Sequence, residues 1–243
     1  MAEIAQVADR TYRICYYNRE RTIGFNQFLI DDDRPALIHT AHHPMYGAVR
    51  AAVAEIVDPS RLAYVVVPHF ESDECGGMGR FVAEAKGAVL ACSAVGAVVN
   101  LLTWDYAGPV EGMQDGDTLD LGAHTLRFLE TPHVHHWDSM MVFDEGSKSL
   151  FASDLFIQPH EQPAIVCKDL AGEMCEWYRT TGIFASEEPV RWVVDRIEQL
   201  DPDWIHPMHG GSLAKETLSP YVRALRTEPY AFDGRVLGRR LPR

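Results

Sequence analysis

An α/β sandwich is the fold class this sequence predicts, with two sheets packed face to face and helices outside. Three observations point to it. The apolar run Leu62-Ala63-Tyr64-Val65-Val66-Val67 reads as a buried strand. The chain falls into two halves that each pass through strands and then helices, a rhythm that two layered sheets satisfy. Its 243 residues, 47% hydrophobic and 23% charged, are enough to bury one large core.

Residues 12–17 and 24–30 are the first predicted strands. The polar turn Asp31-Asp32-Asp33-Arg34-Pro35 leads into a third at 36–40. Apolar residues at helical spacing over 45–57 predict a helix that stops at Asp58-Pro59. The strand at 62–67 follows, then a helix over about 77–85 and a short buried strand at 88–91. Ser93 is placed to cap the helix after it. In the second half, residues 117–121 and 124–130 form a hairpin-like pair around Gly122-Ala123. Strands at 140–143 and 149–152 flank the polar turn at 144–148. Residues 189–200 predict an amphipathic helix with Val190, Val193, Val194, Ile197 and Leu200 on one side. The last short strand is expected at 203–207 and the last helix at 220–226. No linker, low-complexity run or short repeat interrupts this pattern.

Composition narrows the partners. A net charge of −13 argues against nucleic acid and against an anionic membrane surface. Five cysteines, an odd number without a CxxC pair, fit reduced thiols and not a disulfide framework. Cys75 reads as a small buried residue at a helix start. The N-terminus has no basic region followed by an apolar stretch. The longest apolar-leaning stretch, 88–102, is interrupted by Cys92, Ser93, Gly96 and Asn100 and is too short to cross a bilayer. A cytoplasmic protein is expected.

The most informative residues are Pro68-His69-Phe70-Glu71-Ser72-Asp73-Glu74, which follow the buried strand. They set a histidine and two carboxylates at alternate positions and add a third carboxylate. Side chains just past a strand end can converge on one point. Imidazole with carboxylates there suits a transition metal, and so oxygen-rich a set suits iron or manganese. Three more sites sit at predicted strand ends: Thr131-Pro132-His133-Val134-His135-His136-Trp137-Asp138-Ser139-Met140, Phe151-Ala152-Ser153-Asp154, and Trp204-Ile205-His206-Pro207-Met208-His209-Gly210-Gly211. Each alone is common turn chemistry. Four in this order form a constellation.

The order HxExDE, PHVHHWDSM, strand-end SD and PMHGG resembles the metallo-β-lactamase superfamily. Within it, the chain is most similar to the diiron branch of flavodiiron proteins and stand-alone oxygen-binding diiron proteins. Glu71 stands where the hydrolases of the superfamily carry histidine. Gly24-Phe25-Asn26-Gln27-Phe28-Leu29-Ile30 also resembles that branch's N-terminal strand, and the likeness runs over nearly the whole chain. The resemblance implies a metallo-β-lactamase-like αββα sandwich of two mixed β-sheets with outer helices. It implies His69, Glu71 and His135 on one metal, Asp73 and His209 on the other, and Asp154 between them. His135 is preferred to His133 and His136 because it keeps the ungapped spacing to Asp138-Ser139-Met140. His133 and His136 are then supporting or pocket residues, and His206 a packing or supporting one. Position 74, usually histidine in the superfamily, is Glu74. It is an additional carboxylate ligand, a support behind the ligands, or a solvated residue beside an open coordination position.

Glu71, Asp73 and Asp154 with two divalent ions and one hydroxide come out neutral, and a bound pair offsets part of the chain's negative charge. Anionic oxygen donors favour ferric iron, so the implied cofactors are two iron ions, with zinc or manganese as the alternative. Such a site suits binding and reducing O2 or NO. The rival is a zinc or manganese hydrolase for a thioester, lactam or phosphodiester, which would need a polar cleft. Phe25, Phe70, Trp137, Phe156, Trp177 and Tyr178 are the aromatic pocket candidates that favour a small apolar gas. Reduction of O2 to water takes four electrons and a diferrous pair holds two. The likeness is to the first domain of flavodiiron proteins, the chain ends at Arg243, and it has no GxGxxG. The expectation is therefore a single diiron domain over 1–243 without a flavodoxin domain. It either meets a separate reductase or signalling partner, binds O2 as a sensor or carrier, or acts as a diiron oxygenase. The resemblance also makes a homodimer plausible.

Overall fold

A computed structural model describes residues 2–20, 22–101 and 106–242. The first sheet takes its strands in chain order: β1 (Glu3–Ala8), β2 (Thr11–Asn18), β3 (Ile23–Ile30), β4 (Ala36–Ile38), β5 (Tyr64–Val67), β6 (Val89–Ser93) and β7 (Val110–Met113). The first four are antiparallel, and β4 through β7 are parallel. The second sheet runs β8 (Thr118–Asp120), β9 (Thr125–Glu130), β10 (Met140–Asp144), β11 (Ser149–Phe151), β12 (Trp204–His206) and β13 (Leu213–Ala214), with only β11 and β12 parallel. Both sheets are mixed, as expected.

The period of two along each strand sorts the core into layers. Phe28, Ile30, Ala36, Ile38, Tyr64 and Val66 of the first sheet face Leu126, Phe128, Met140, Val142 and Phe151 of the second. The intervening Leu29, Leu37, Val65 and Val67 point to the other face, where α1 (Tyr46–Ala54) and α3 (Met78–Glu84) cover them. On the second sheet Met141, Phe143, Leu150 and Ile205 pack against α5 (Ala171–Thr181), α6 (Glu188–Leu200) and α7 (Leu218–Thr227). Each fully buried aliphatic side chain contributes about 1.5–3 kcal/mol, so the three-layer core is the main source of stability. This is the αββα arrangement.

Several elements differ from the sequence expectation. β1 precedes the expected first strand and is an edge strand with only Val7 fully buried, which hides its period. β7 exposes three of its four residues. α5 buries Ala171, Met174, Cys175 and Tyr178 at helical spacing, but with too few strong hydrophobes to announce itself. The strand expected to reach residue 40 ends at Ile38, because His39 (φ 63°) and Ala41 (φ 61°) turn the backbone left-handed. A one-turn helix, α2 (Ser72–Cys75), forms inside the acidic motif, ahead of the helix expected from about residue 77. The strand at 204–206 is followed by β13, and β14 (Arg235–Val236) pairs with β15 (Arg239–Arg240) near the end of the chain. Ser93 caps as expected: its hydroxyl accepts from Gly96 N at 2.9 Å, at the start of α4 (Ala94–Gly96), which runs into a π turn over Ala97–Leu101. The apolar stretch 88–102 is thus a strand and a turn, and Leu102 lies outside the described residues. Among the described residues no helix is long and apolar enough to cross a membrane.

Candidate metal centre

Parallel strands deliver their C-terminal ends to one edge, and this places the site. His69 follows β5, Asp154 follows β11, and His209 follows β12. His135 lies in the loop after β9, which runs parallel to β11 because both are antiparallel to β10. Two backbone bonds tie the sheets together at this rim: Met140 N donates to Pro68 O at 2.9 Å, and Asn26 N donates to Met208 O at 2.9 Å.

The carboxylate of Asp154 stands between two groups of donors. Its Oδ2 is 3.4 Å from His69 Nε2 and 3.2 Å from His135 Nε2. Glu71 Oε2 joins that group, 3.0 Å from His135 Nε2 and 3.5 Å from His69 Nε2. The other oxygen, Asp154 Oδ1, is 3.3 Å from His209 Nε2, which is also 3.4 Å from Asp73 Oδ2. All six side chains singled out in the sequence therefore meet. His136 stands beside them, half-buried, with Nε2 4.0 Å from Glu71 and its ring 4.7 Å from that of His69. His133 is exposed.

The electrostatics call for a cation. Burial alone lowers the pKa of His69, but Glu74, Glu71 and Asp154 outweigh it and hold the group well above its ordinary value. Burial likewise opposes charge on His135 and His209, yet Asp154 with Glu71, and Asp154 with Asp73, raise them to about 9 and about 10. Hydrogen bonds from His135 and His69 bring Glu71 down to about 2. His69 Nε2, Asp73 Oδ1 and Asp154 Oδ1 are buried without a hydrogen-bond partner. Buried polar atoms are seldom left so, and cations placed in the two groups would satisfy all three. The mixture of imidazole and carboxylate fits a first-row transition metal. His209 Nδ1 donates to the Gly24 carbonyl at 2.8 Å, which directs Nε2 inward.

Glu74 departs from one of its expected roles. It is fully buried, so it is not a solvated residue. Its Oε2 meets His69 at Nδ1, 3.1 Å away, while the Nε2 of that ring faces Glu71 and Asp154. It therefore meets the His69 ring on the side away from Glu71, and with His69 and Asp154 it forms a buried group of three side chains close enough together to hold a cation.

A cavity of about 520 Å3 opens over the cluster. Among the aromatic candidates only Phe25 and Trp177 line it, and Phe25 packs edge-on against His209 at 5.1 Å. Phe70, Phe156 and Tyr178 belong to the core, and Trp137 is exposed. Ile23, Ile183 and Leu237 complete the apolar walls, and periodicity gave no signal for any of them. His206 is buried between Phe28 and Phe151, where burial lowers its pKa to about 3. It is a packing residue.

The pattern of one known family, described as ODP family beta lactamase, matches residues 23–210. A flavo-diiron protein of Clostridium acetobutylicum, FprA2, is 28% identical over 204 residues, covering 80% of this chain and 50% of that protein. An anaerobic nitric oxide reductase flavorubredoxin of Salmonella arizonae is 29% identical over 146 residues, covering 58% of this chain and 30% of the relative. The chain thus spans half or less of these relatives. The solved structure of rubredoxin oxygen:oxidoreductase from Desulfovibrio gigas shares the fold, with a TM-score of 0.84 at 20% identity over 92% of this chain and 60% of that one.

Proposed function

Because the chain belongs to the ODP family of beta lactamases, we propose that its metal centre holds two iron ions and acts on O2 or NO. His69, Glu71 and His135 would hold one ion and Asp73 and His209 the other, with Asp154 placed to serve both. The observation that carries this reading is the division of Asp154, whose two oxygens face separate histidine–carboxylate groups. Ferrous ions held there would supply electrons and Lewis acidity for small-gas chemistry.

This chain's own residues shape what reaches the ions. Ile23, Phe25, Trp177, Ile183 and Leu237 give the cavity apolar walls, which admit an uncharged diatomic gas and offer little to a charged ester or a lactam. Phe25 shields one edge of His209 from water. The three carboxylates would offset most of the charge of two divalent ions and favour the oxidised state. Repeated reduction of O2 needs more electrons than two ferrous ions hold, so a separate electron-donating protein or domain is the partner. Names carried by the relatives, such as flavorubredoxin, fit that need.

The test is an anaerobic O2 titration of the iron-loaded, reduced protein with optical spectroscopy and metal analysis. O2 uptake in proportion to the iron pairs, with ferric absorption growing in, is the expected result. No reaction, or stable selection of zinc over iron, would redirect the search to hydrolase substrates.

A further inference from the structure

Glu74 has an environment unlike that of the other acidic residues of the motif. Neither its side chain nor that of His69 is exposed to solvent, and among the described residues no lysine or arginine pairs with it. Its neighbours are two imidazoles and a hydroxyl. Oε2 lies 3.1 Å from His69 Nδ1, 3.2 Å from His39 Nδ1 and 3.3 Å from the backbone N of His69. Oε1 accepts from the hydroxyl of Ser153, whose oxygen is also 3.0 Å from His69 Nδ1.

The backbone around Glu74 is clamped, so its direction is fixed. Thr40 donates to the Glu74 carbonyl from its backbone N at 2.6 Å and from its hydroxyl at 2.9 Å. At Gly76 and Gly77 an added Cβ would lie 2.5–2.8 Å from backbone atoms of Thr40, Ala41, Ser72 and His43. No larger residue fits there without moving the chain, so α2 is pressed against the end of β4.

We propose that Glu74 is a positioning residue for the metal centre. With Oε2 3.1 Å from His69 Nδ1, and through the Ser153 hydroxyl that meets the same Nδ1 at 3.0 Å, it fixes the ring so that Nε2 faces the ions. By accepting the hydroxyl of Ser153, it ties the end of β11, and Asp154 with it, to the end of β5. One carboxylate therefore sets the register between ligands supplied by different sheets. A carboxylate behind a ligating imidazole also makes that imidazole a stronger donor, and loss of such a partner typically weakens metal binding about 10–100-fold.

This inference rests on His69 being a ligand and not on the gas chemistry, so Co(II) is the probe. Metal-free protein is titrated with Co(II) and followed by optical absorption and by proton NMR with 15N-labelled histidine. The wild-type protein should show an exchange-protected, strongly shifted ring N–H from His69. A second such signal, from His209 against the Gly24 carbonyl, serves as control. Glu74→Gln should keep two Co(II) per chain, bind them about 10–100-fold more weakly, and move the His69 signal while leaving the control in place. Glu74→Asp should recover part of the loss.

Wild-type affinity with an unmoved His69 signal in Glu74→Gln would overturn the proposal. Loss of one Co(II) per chain would do so too, by making Glu74 a ligand. If the variant does not fold, the wild-type spectrum still decides, because absence of a protected His69 N–H sinks the idea. Iron-loaded protein that ignores O2 while the Co(II) signature stands would remove only the gas reading.

Discussion

Asp154 lies in the turn just after β11, and its two oxygens face different histidines, which makes it the residue on which the proposed two-ion site turns. Around it the loop 131–139 offers three histidines, and only one of them reaches both Asp154 and Glu71. His135→Ala is expected to lose metal after desalting, whereas His133→Ala keeps a full complement by metal analysis. The reverse result would move the ligand by two positions. These side chains were legible in the sequence because each stands at a strand end within a recognisable order. Glu74 was only half legible. Its type and place in the motif marked it, but the direction of a carboxylate in a four-residue helix depends on how α2 docks against Thr40, and no periodicity encodes that docking.

At the scale of elements, the loop that presents His209 is held from β2 and β3. Asn26 Nδ2 donates to the carbonyls of Pro207 and Gly210 at 2.9 and 2.8 Å. Arg13, buried in the same place, donates to Asn26 Oδ1 at 2.9 Å and to Gly210 O at 3.0 Å. Asn26→Leu would leave those carbonyls and a guanidinium short of partners, at roughly 1–3 kcal/mol for each buried group left unpaired. Urea unfolding should therefore show a loss of several kcal/mol, and metal analysis should show the ion held by His209 and Asp73 leaving first. Equal loss of both ions would argue that the clamp serves the fold and not that half of the site. The strands β2 and β3 were readable from their apolar runs. The clamp was not, since it joins residues nearly two hundred positions apart. Elements that escaped notice share a physical reason as well: β1 and β7 lie at the two edges of the first sheet, where one-sided burial weakens the alternation.

For the whole molecule, the cluster at the rim joins side chains from both sheets, so its charge state bears on stability. In the metal-free protein His135 and His209 have pKa values raised to about 9 and about 10. Their contribution is fully present below the ordinary histidine value and is lost as pH rises through those two values. Glu71, lowered to about 2, contributes above the ordinary carboxylate range and loses that contribution only as pH falls toward 2. The metal-free chain should therefore melt at lower temperature as pH climbs from 7 toward 10. Metal needs neutral imidazoles and displaces their protons, so the gap between loaded and metal-free protein should widen over the same interval. At neutral pH, with metal a hundredfold above its dissociation constant, the gap is expected on the order of 5–10 °C. Thermal melts with and without chelator at pH 6.5 to 9 would read it, and a constant gap would mean that no protons leave. The placement of the ligands also sets an order in time. His69, Glu71 and Asp73 come from the first sheet's side of the chain, and His135, Asp154 and His209 from the second's. Contacts between residues so far apart in sequence close late in folding. A half-made chain therefore carries only part of the proposed site, the His69, Glu71 and Asp73 side. On the proposed ligand set, a newly made molecule completes the site only when its sandwich closes, which places loading after synthesis of the second half.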